Sequence, residues 1–146
     1  MIYIAGYRGK KRFLDRLIQW WTGDTYSHCE VVINNIGYSS SHVDGGVRSK
    51  WIDFQDSTVW DLYPIEFADA EDIIRYYQET KCTKYYMLDL ILSQVLRTRL
   101  NIKNSQFCSE WCANALRLPD PRSHTPGSLI RLIVHLNWMQ RCAKLS

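Results

Sequence analysis

The stretch with the clearest chemical potential is Gln106–Trp111, in which Cys108 stands at the start of a predicted helix. Backbone N–H groups at a helix N-terminus have no intrahelical partner and carry partial positive charge, which favours a thiolate over a thiol. Glu110 lies in the same first turn and would oppose ionisation if its carboxylate faced the sulfur. The alternative is a buried structural cysteine, the commoner role of a single Cys. The position predicts a nucleophile at Cys108 that needs a base from elsewhere in the chain.

The candidate base is His28, which begins a predicted strand with the sequence His-Cys-Glu-Val-Val-Ile. To act on Cys108, one ring nitrogen must come within hydrogen-bonding distance of the sulfur. Glu30 shares a strand face with His28, so it is the predicted residue that orients the imidazole. The alternatives are a structural histidine and a carboxylate paired with an arginine. The orienting group could also come from the following segment, whose polar residues include Ser39, Ser40, Ser41, His42 and Asp44.

A zinc site is a second interpretation of the same region. Cys108 and Cys112 are spaced i, i+4 on one predicted helix, and His28 and Cys29 are adjacent. Structural zinc motifs use two close pairs of ligands, whereas adjacent strand residues point to opposite faces. We therefore expect no metal site and interpret Cys112 as a small core residue.

These side chains need a sheet and a helix to position them, and the first half of the chain supplies the predicted strands. A strand over Ile2–Ala5 is followed by a helix from Lys11 to Thr22, which Gly23 ends. Strand-forming residues and turn sequences then predict an antiparallel meander of about four strands joined by short turns. Its strands are Tyr26–Asn34, Tyr38–Ser41, Val47–Phe54 and Thr58–Ile65.

The second half of the chain is predicted to be helical. Acidic residues in a first turn mark a helix from Ala68, and Thr125-Pro126 supplies an N-cap and an N1 proline for the last helix. The other predicted helices are Tyr85–Leu96 and Ser109–Leu116, and the last helix is expected to end near Arg141. Strands precede helices without a linker or repeat, so we expect one α+β domain over residues 1–146, with an antiparallel sheet of four to five strands packed against helices.

Composition favours a folded globular chain, with 46% hydrophobic and 13% aromatic residues. The five cysteines are odd in number and lack disulfide-framework spacing, so reduced thiols and a cytoplasmic location are expected. Neither a secretory signal nor a run of membrane-spanning length is visible. The formal charge of +3 is mild, and the tryptophans are not interleaved with basic residues, so no nucleic-acid partner is expected.

Three sequence elements together resemble the circularly permuted NlpC/P60 papain-like hydrolases, a group that includes the YiiX/YaeF-type proteins and the relatives of lecithin retinol acyltransferase. In that group the histidine precedes the cysteine along the chain, as it does here. The combination also resembles small proteins of tailed bacteriophages and prophages. The elements are Ser27-His28 with Val31-Val32-Ile33, then Gly45-Gly46-Val47-Arg48, then Phe107-Cys108-Ser109-Glu110-Trp111.

The resemblance implies a permuted papain-like fold and a thiol hydrolase acting on an amide bond of a peptide or peptidoglycan-type substrate. Cys108 would attack the carbonyl, His28 would hold and return the proton, and the N–H of Cys108 would stabilise the oxyanion. The family's third residue is polar and often lies on the strand after the histidine strand. That strand has no carboxylate here, so Glu30 is the predicted third residue. Substrate contacts are expected from Tyr7, Ser40, Gln106 and Ser109, and no cofactor is expected.

Two other functions are compatible with the same resemblance. One is an acyltransferase or esterase of the same fold, since relatives also act on acyl groups. The other is a catalytically silent binding or inhibitor module encoded by a phage. A phage-encoded protein would act in the host cytoplasm or be associated with the virion.

Overall fold

The computed structural model describes residues 1–9, 13–41, 43–81 and 107–145. In this part of the chain, five strands form one antiparallel sheet in the order β4-β3-β2-β1-β5. The α+β class and the strand count therefore agree with the prediction. The strands are β1 (Ile2–Tyr7), β2 (His28–Ile33), β3 (Ile36–Ser41), β4 (Gly46–Trp51) and β5 (Trp60–Ile65).

The meander covers three strands, β2 to β4, and not four. A two-residue turn at Asn34-Asn35 joins β2 to β3, and both residues have the left-handed φ values, 50° and 63°, that tight hairpins require. The predicted fourth strand, β5, pairs instead with β1 at the opposite edge, from Ile2↔Ile65 to Tyr7↔Trp60. The meander prediction was wrong here because strand patterns do not encode pairing partners. Pro64 is compatible with an edge position, where a missing N–H disturbs no second ladder.

Four helices and a short 3₁₀ turn complete the described structure. Gly23, with φ 62°, follows the first helix as predicted, and the Asp69 carboxylate caps the second by accepting from the N–H of Glu71 at 2.8 Å. The last helix runs past the predicted end at Arg141. The predicted helix Tyr85–Leu96 lies outside the described residues. The helices are α1 (Phe13–Thr22), α2 (Ala70–Thr80), α3 (Cys108–Ala115) and α4 (Pro126–Leu145), and the 3₁₀ turn is Pro121–Ser123.

The main core lies between the sheet and the helices. Its centre is α3, whose Trp111 and Cys112 are fully buried against the inward-facing side chains of β1 and β2, including Ile4, Cys29 and Val31. A smaller cluster of Ala5, Val32 and Phe54 lies on the other face of the sheet. The strand β2 thus has both faces covered. Among the described residues, no helix is long and apolar enough to cross a membrane.

Candidate active site

His28 and Glu30 lie on the same face of β2 and are in direct contact, as their two-residue spacing predicted. The His28 Nε2 atom is 3.1 Å from the Glu30 Oε1 atom. The Glu30 side chain is 1% exposed and that of His28 is 15% exposed. A buried carboxylate therefore orients the imidazole, and only Nδ1 remains for a second partner.

Arg48 of β4 clamps the same carboxylate with two nitrogens. Its Nη1 donates to Glu30 Oε2 at 2.8 Å, and its Nη2 donates to Glu30 Oε1 at 2.5 Å. The Nε of Arg48 also donates to Asp44 Oδ2 at 2.9 Å. Burial raises the pKa of Glu30, but hydrogen bonds and charges from Arg48 and His28 outweigh it and hold that pKa below its ordinary value. Glu30 is thus both the partner of His28 and a carboxylate paired with an arginine.

Gly37 of β3 provides the space that Glu30 occupies. A Cβ atom at this position would overlap the Glu30 Oε2 atom and would lie 2.8 Å from Cζ of Phe54. Its carbonyl oxygen also accepts from Arg48 Nη1 at 3.2 Å. Any larger residue at position 37 would displace the carboxylate that holds His28.

Cys108 is the first residue of α3, one position earlier than the predicted helix start, and it is 8% exposed. Its sulfur is near enough to the imidazole of His28 and to the thiol of Cys29 for both groups to shift its pKa. A hydrogen bond from the Cys29 thiol lowers the pKa of Cys108, and the charge and hydrogen bond of His28 lower it further. Together they outweigh the opposing effect of burial, so the pKa lies well below its ordinary value. The structure therefore joins the predicted nucleophile and the predicted base.

The pKa values of two neighbours of Cys108, His28 and Cys29, are raised instead of lowered. Burial lowers the pKa of His28, but the charge and hydrogen bonds of Cys108 and Glu30 outweigh it and raise that pKa to about 10. Burial and contacts with Cys108 and Cys112 raise the pKa of Cys29 well above its ordinary value, so Cys29 remains a thiol that donates. These opposite shifts favour a thiolate at Cys108 beside an imidazolium at His28.

The N-terminus of α3 has no side-chain cap. Phe107, the residue before the helix, has no side chain that can cap the first-turn N–H groups. The sequence predicted that the charge of Glu110 could oppose ionisation of Cys108. In the structure Glu110 is paired with Arg122, whose Nε donates to Glu110 Oε1 at 3.0 Å. The first turn therefore supplies backbone N–H groups next to Cys108, and its own carboxylate, Glu110, is paired with a cation.

A cleft of about 400 Å³ opens on the side of His28 and Glu30. Tyr7 lines it, and its ring lies 5.0 Å from that of Trp60, centroid to centroid. Cys108 is not among the residues that line this cleft. Its other side chains are mostly polar or aromatic and come from α1, β3, β4 and the segment after β4: Asp15, Ser41, Val43, Asp44, Arg48, Lys50, Trp51, Ile52 and Asp53.

The other predicted substrate contacts occupy different environments. Ser40 is 1% exposed, and its neighbour Ser41 is the serine that lines the cleft. Ser109 is also buried, and its hydroxyl donates to the carbonyl oxygen of His124 at 2.5 Å. Gln106 and His42 lie outside the described residues. The roles of these residues in substrate binding stay predictions.

The residues proposed for zinc are arranged as a packed core. Cys112 is fully buried, and its Sγ donates to the carbonyl oxygen of Cys29 at 3.7 Å. Within the described parts of the chain, no three His, Cys, Asp or Glu side chains are grouped so that they could hold a metal ion.

Sequence reasoning assigned no role to Arg48, Gly37 or the Cys29 thiol. Arg48 was part of a recognisable motif, but its contact with Glu30 depends on the pairing of β4 with β3, where it lies opposite Ser39. Gly37 precedes the predicted strand Tyr38–Ser41, whereas β3 begins at Ile36, so its position inside a strand next to Glu30 was not predicted. No sequence signal indicated that Cys29 would meet Cys108.

Comparisons with models of known protein families, with curated proteins and with solved structures found no match for this chain. The geometry around Cys108, His28 and Glu30 is therefore the basis on which a function can be proposed.

Proposed function

We propose that this protein is a cysteine hydrolase of the permuted NlpC/P60 papain-like type that cleaves an amide bond. Cys108 is the nucleophile, His28 is the acid and base, and Glu30 orients His28. The observation that supports this assignment is that His28 lies between the two other groups: its Nε2 is 3.1 Å from Oε1 of the buried Glu30 carboxylate, and its charge lowers the pKa of Cys108. This is the relation of nucleophile, base and orienting group that thiol hydrolysis requires.

In the proposed reaction, the Cys108 thiolate attacks the carbonyl carbon and forms a C–S bond, while the carbonyl oxygen becomes an oxyanion. Collapse of this intermediate breaks the C–N bond, and the His28 imidazolium gives its proton to the leaving amine. Water then attacks the thioester while neutral His28 accepts one of its protons. Release of the acid restores the thiolate and the imidazolium, so atoms and charge balance over the cycle.

Oxyanion stabilisation is assigned to the N-terminus of α3. The backbone N–H of Cys108 lies in a first turn without a side-chain cap, and the helix dipole adds partial positive charge there. Removal of one oxyanion donor from a hydrolase lowers kcat by about 10²–10³. The absence of a capping side chain at Phe107 is therefore favourable for catalysis, although it leaves the helix without the usual stabilisation.

The cleft beside His28 is the proposed binding site for the acyl side of a peptide or peptidoglycan-type substrate. Its lining combines the ring pair Tyr7 and Trp60 with charged side chains of both signs, which suits an extended chain with polar and apolar groups. The proposed place of action is the cytoplasm, of a bacterial host if the protein is phage-encoded, or a virion that delivers it.

A catalytically silent binding module is the second candidate. The observation that favours it is the position of Cys108, which is 8% exposed and does not line the cleft that His28 lines. In that case the thiolate and imidazolium would stabilise the scaffold, and ligands would bind without being cleaved.

Hydrolysis assays with peptidoglycan fragments, peptide amides and acyl esters separate these functions. Wild-type protein should release new amine ends from one of the amide substrates, and Cys108→Ala and His28→Gln should each reduce the rate at least about a thousandfold. Cys142→Ala, at an exposed cysteine of α4, is the matched control and should retain the full rate. Preferred turnover of esters would indicate the esterase or acyltransferase alternative. Binding without turnover, unchanged by Cys108→Ala, would establish the silent module.

A further inference from the structure

Helix α1 packs with its polar side toward the protein. Asp15 is 4% exposed, and its Oδ1 accepts from the hydroxyl of Ser27 at 3.5 Å. One turn later, Gln19 Nε2 donates to the carbonyl oxygen of Thr25 at 2.8 Å and to that of Arg8 at 3.3 Å. These contacts tie α1 to the loops at the ends of β1 and β2 through hydrogen bonds.

The apolar side of α1 consequently faces solvent. Phe13 is 81% exposed, Trp20 is 75% exposed and Trp21 is 43% exposed. At 100° per residue, Phe13, Leu17, Trp20 and Trp21 share one side of the helix, about opposite Asp15 and Gln19. A helix that stabilises a core does the reverse and buries its apolar stripe. This outward face therefore calls for a partner outside the described residues.

The residue types and charges around this face match a lipid surface. Tryptophan is enriched at the boundary between headgroups and acyl chains, and interfacial helices combine such aromatics with Lys and Arg. Arg16 is an exposed residue within α1, whereas Arg8, which precedes α1, is paired with Asp61 at 3.3 Å. Over positions 8 to 16 the sequence has five basic residues against one acidic residue, and that residue is the buried Asp15. An anionic surface complements this charge.

The size of the face argues against a protein partner. A helix of ten residues is about 15 Å long, so one side of it is much smaller than the area of about 800 Å² that each partner buries in a stable protein interface. A bilayer imposes no such minimum, because a few inserted aromatics and nearby basic residues suffice for reversible binding.

We propose that α1 is an interfacial helix with which this protein binds the surface of an anionic lipid bilayer. Phe13, Trp20 and Trp21 insert at the level of the headgroups, and Arg16 of the same helix contacts the anionic lipids. Asp15 of the same helix lines the cleft beside His28, so the bound protein holds that cleft near the bilayer surface. Lipid binding does not depend on Cys108 chemistry, so this proposal goes beyond the proposed function.

Vesicle co-sedimentation with the full chain tests the proposal. Wild-type protein should sediment with vesicles of equimolar phosphatidylcholine and phosphatidylglycerol, with weaker binding at high salt and to phosphatidylcholine alone. The double variant Phe13→Ser, Trp20→Ala should bind at least about tenfold more weakly. Trp138→Ala, at an exposed tryptophan of α4, is the matched control and should bind as wild type. Cys108→Ala should also bind normally, which separates this result from the hydrolase assays.

Three results would overturn the proposal. One is the absence of binding to anionic vesicles at low salt by a wild-type protein that is folded by circular dichroism. Another is equal binding by the double variant and the wild type. The third is a wild-type dimer in sedimentation velocity that the double variant converts to a monomer, since a second copy would then cover the face.

Discussion

The pH dependence of alkylation at Cys108 measures the thiolate–imidazolium pair directly. An ordinary thiol with a pKa of about 8.5 is about 0.3% ionised at pH 6 and about 24% ionised at pH 8, so its alkylation rate rises about 75-fold over this interval. The pKa of Cys108 lies well below its ordinary value. Its rate with iodoacetamide should therefore rise by much less than about 75-fold between pH 6 and pH 8. The comparison within one thiol also cancels its intrinsic nucleophilicity, which falls with pKa.

His28→Gln removes the positive charge beside the sulfur while burial continues to oppose ionisation. A neighbouring opposite charge shifts a pKa by about 1–3 units, so alkylation at pH 6 should slow at least about tenfold and should regain a steep rise with pH. His135→Gln, at an exposed histidine of α4, is the matched control. The assay uses a Cys142→Ser background and mass spectrometry that distinguishes Cys108 from Cys112. A wild-type profile as steep as that of a free thiol, or coincident wild-type and His28→Gln profiles, would refute the ion pair.

Arg48→Met should reduce the free energy of unfolding in urea by about 3–5 kcal/mol, because the buried Glu30 loses the bidentate one of its two cations, and adding Glu30→Gln should recover most of that loss. Gly37→Ala should lower the proposed hydrolysis at least about tenfold by displacing the Glu30 carboxylate, and an unchanged rate would contradict its orienting role. The stability difference between wild type and the double variant His28→Gln, Cys108→Ser should be constant between about pH 6.5 and 9. Below that window the unfolded chain binds more protons than the native chain, because native Cys108 stays ionised. Above the window the native chain binds more protons, because His28 keeps its proton up to about pH 10. The stability difference therefore becomes smaller on both sides of the window. A monotonic change across the whole range would be inconsistent with the pair.

The contact between His28 and Glu30 could be predicted because it depends only on strand periodicity. Residues i and i+2 share a face in any strand, so the pairing required no knowledge of the fold. A helix start next to Cys108 could also be predicted, because it depends only on residues adjacent in the sequence. Arg48 could not be assigned to Glu30, because that contact depends on how β4 pairs with β3 and how β3 pairs with β2. The position of β5 was missed for the same reason, since its pattern is equally compatible with pairing to β4 or to β1.

The orientation of α1 shows another limit of periodicity. Its apolar positions predicted a helix correctly, but a periodic stripe does not say whether it faces the core or solvent. The deciding contacts are those of Asp15 and Gln19 with loop groups near β1 and β2, which exist only once the sheet has formed. Hydrogen bonds of polar side chains to the neighbouring loops therefore determine an orientation that the hydrophobic pattern alone leaves open.

Arg48 also explains how a carboxylate on the histidine strand itself could serve as the third residue. Glu30 is 1% exposed, so its charge requires compensation in every state of the proposed reaction. When His28 gives its proton to the leaving amine, the imidazole becomes neutral and one of the two cations beside Glu30 is lost. The bidentate contact with Arg48 remains, and it keeps Glu30 ionised while His28 is neutral. Glu30 can then stabilise the imidazolium again when His28 accepts a proton from water. A lone buried glutamate would instead favour its neutral form at that step, and the orienting hydrogen bond would weaken when it is needed.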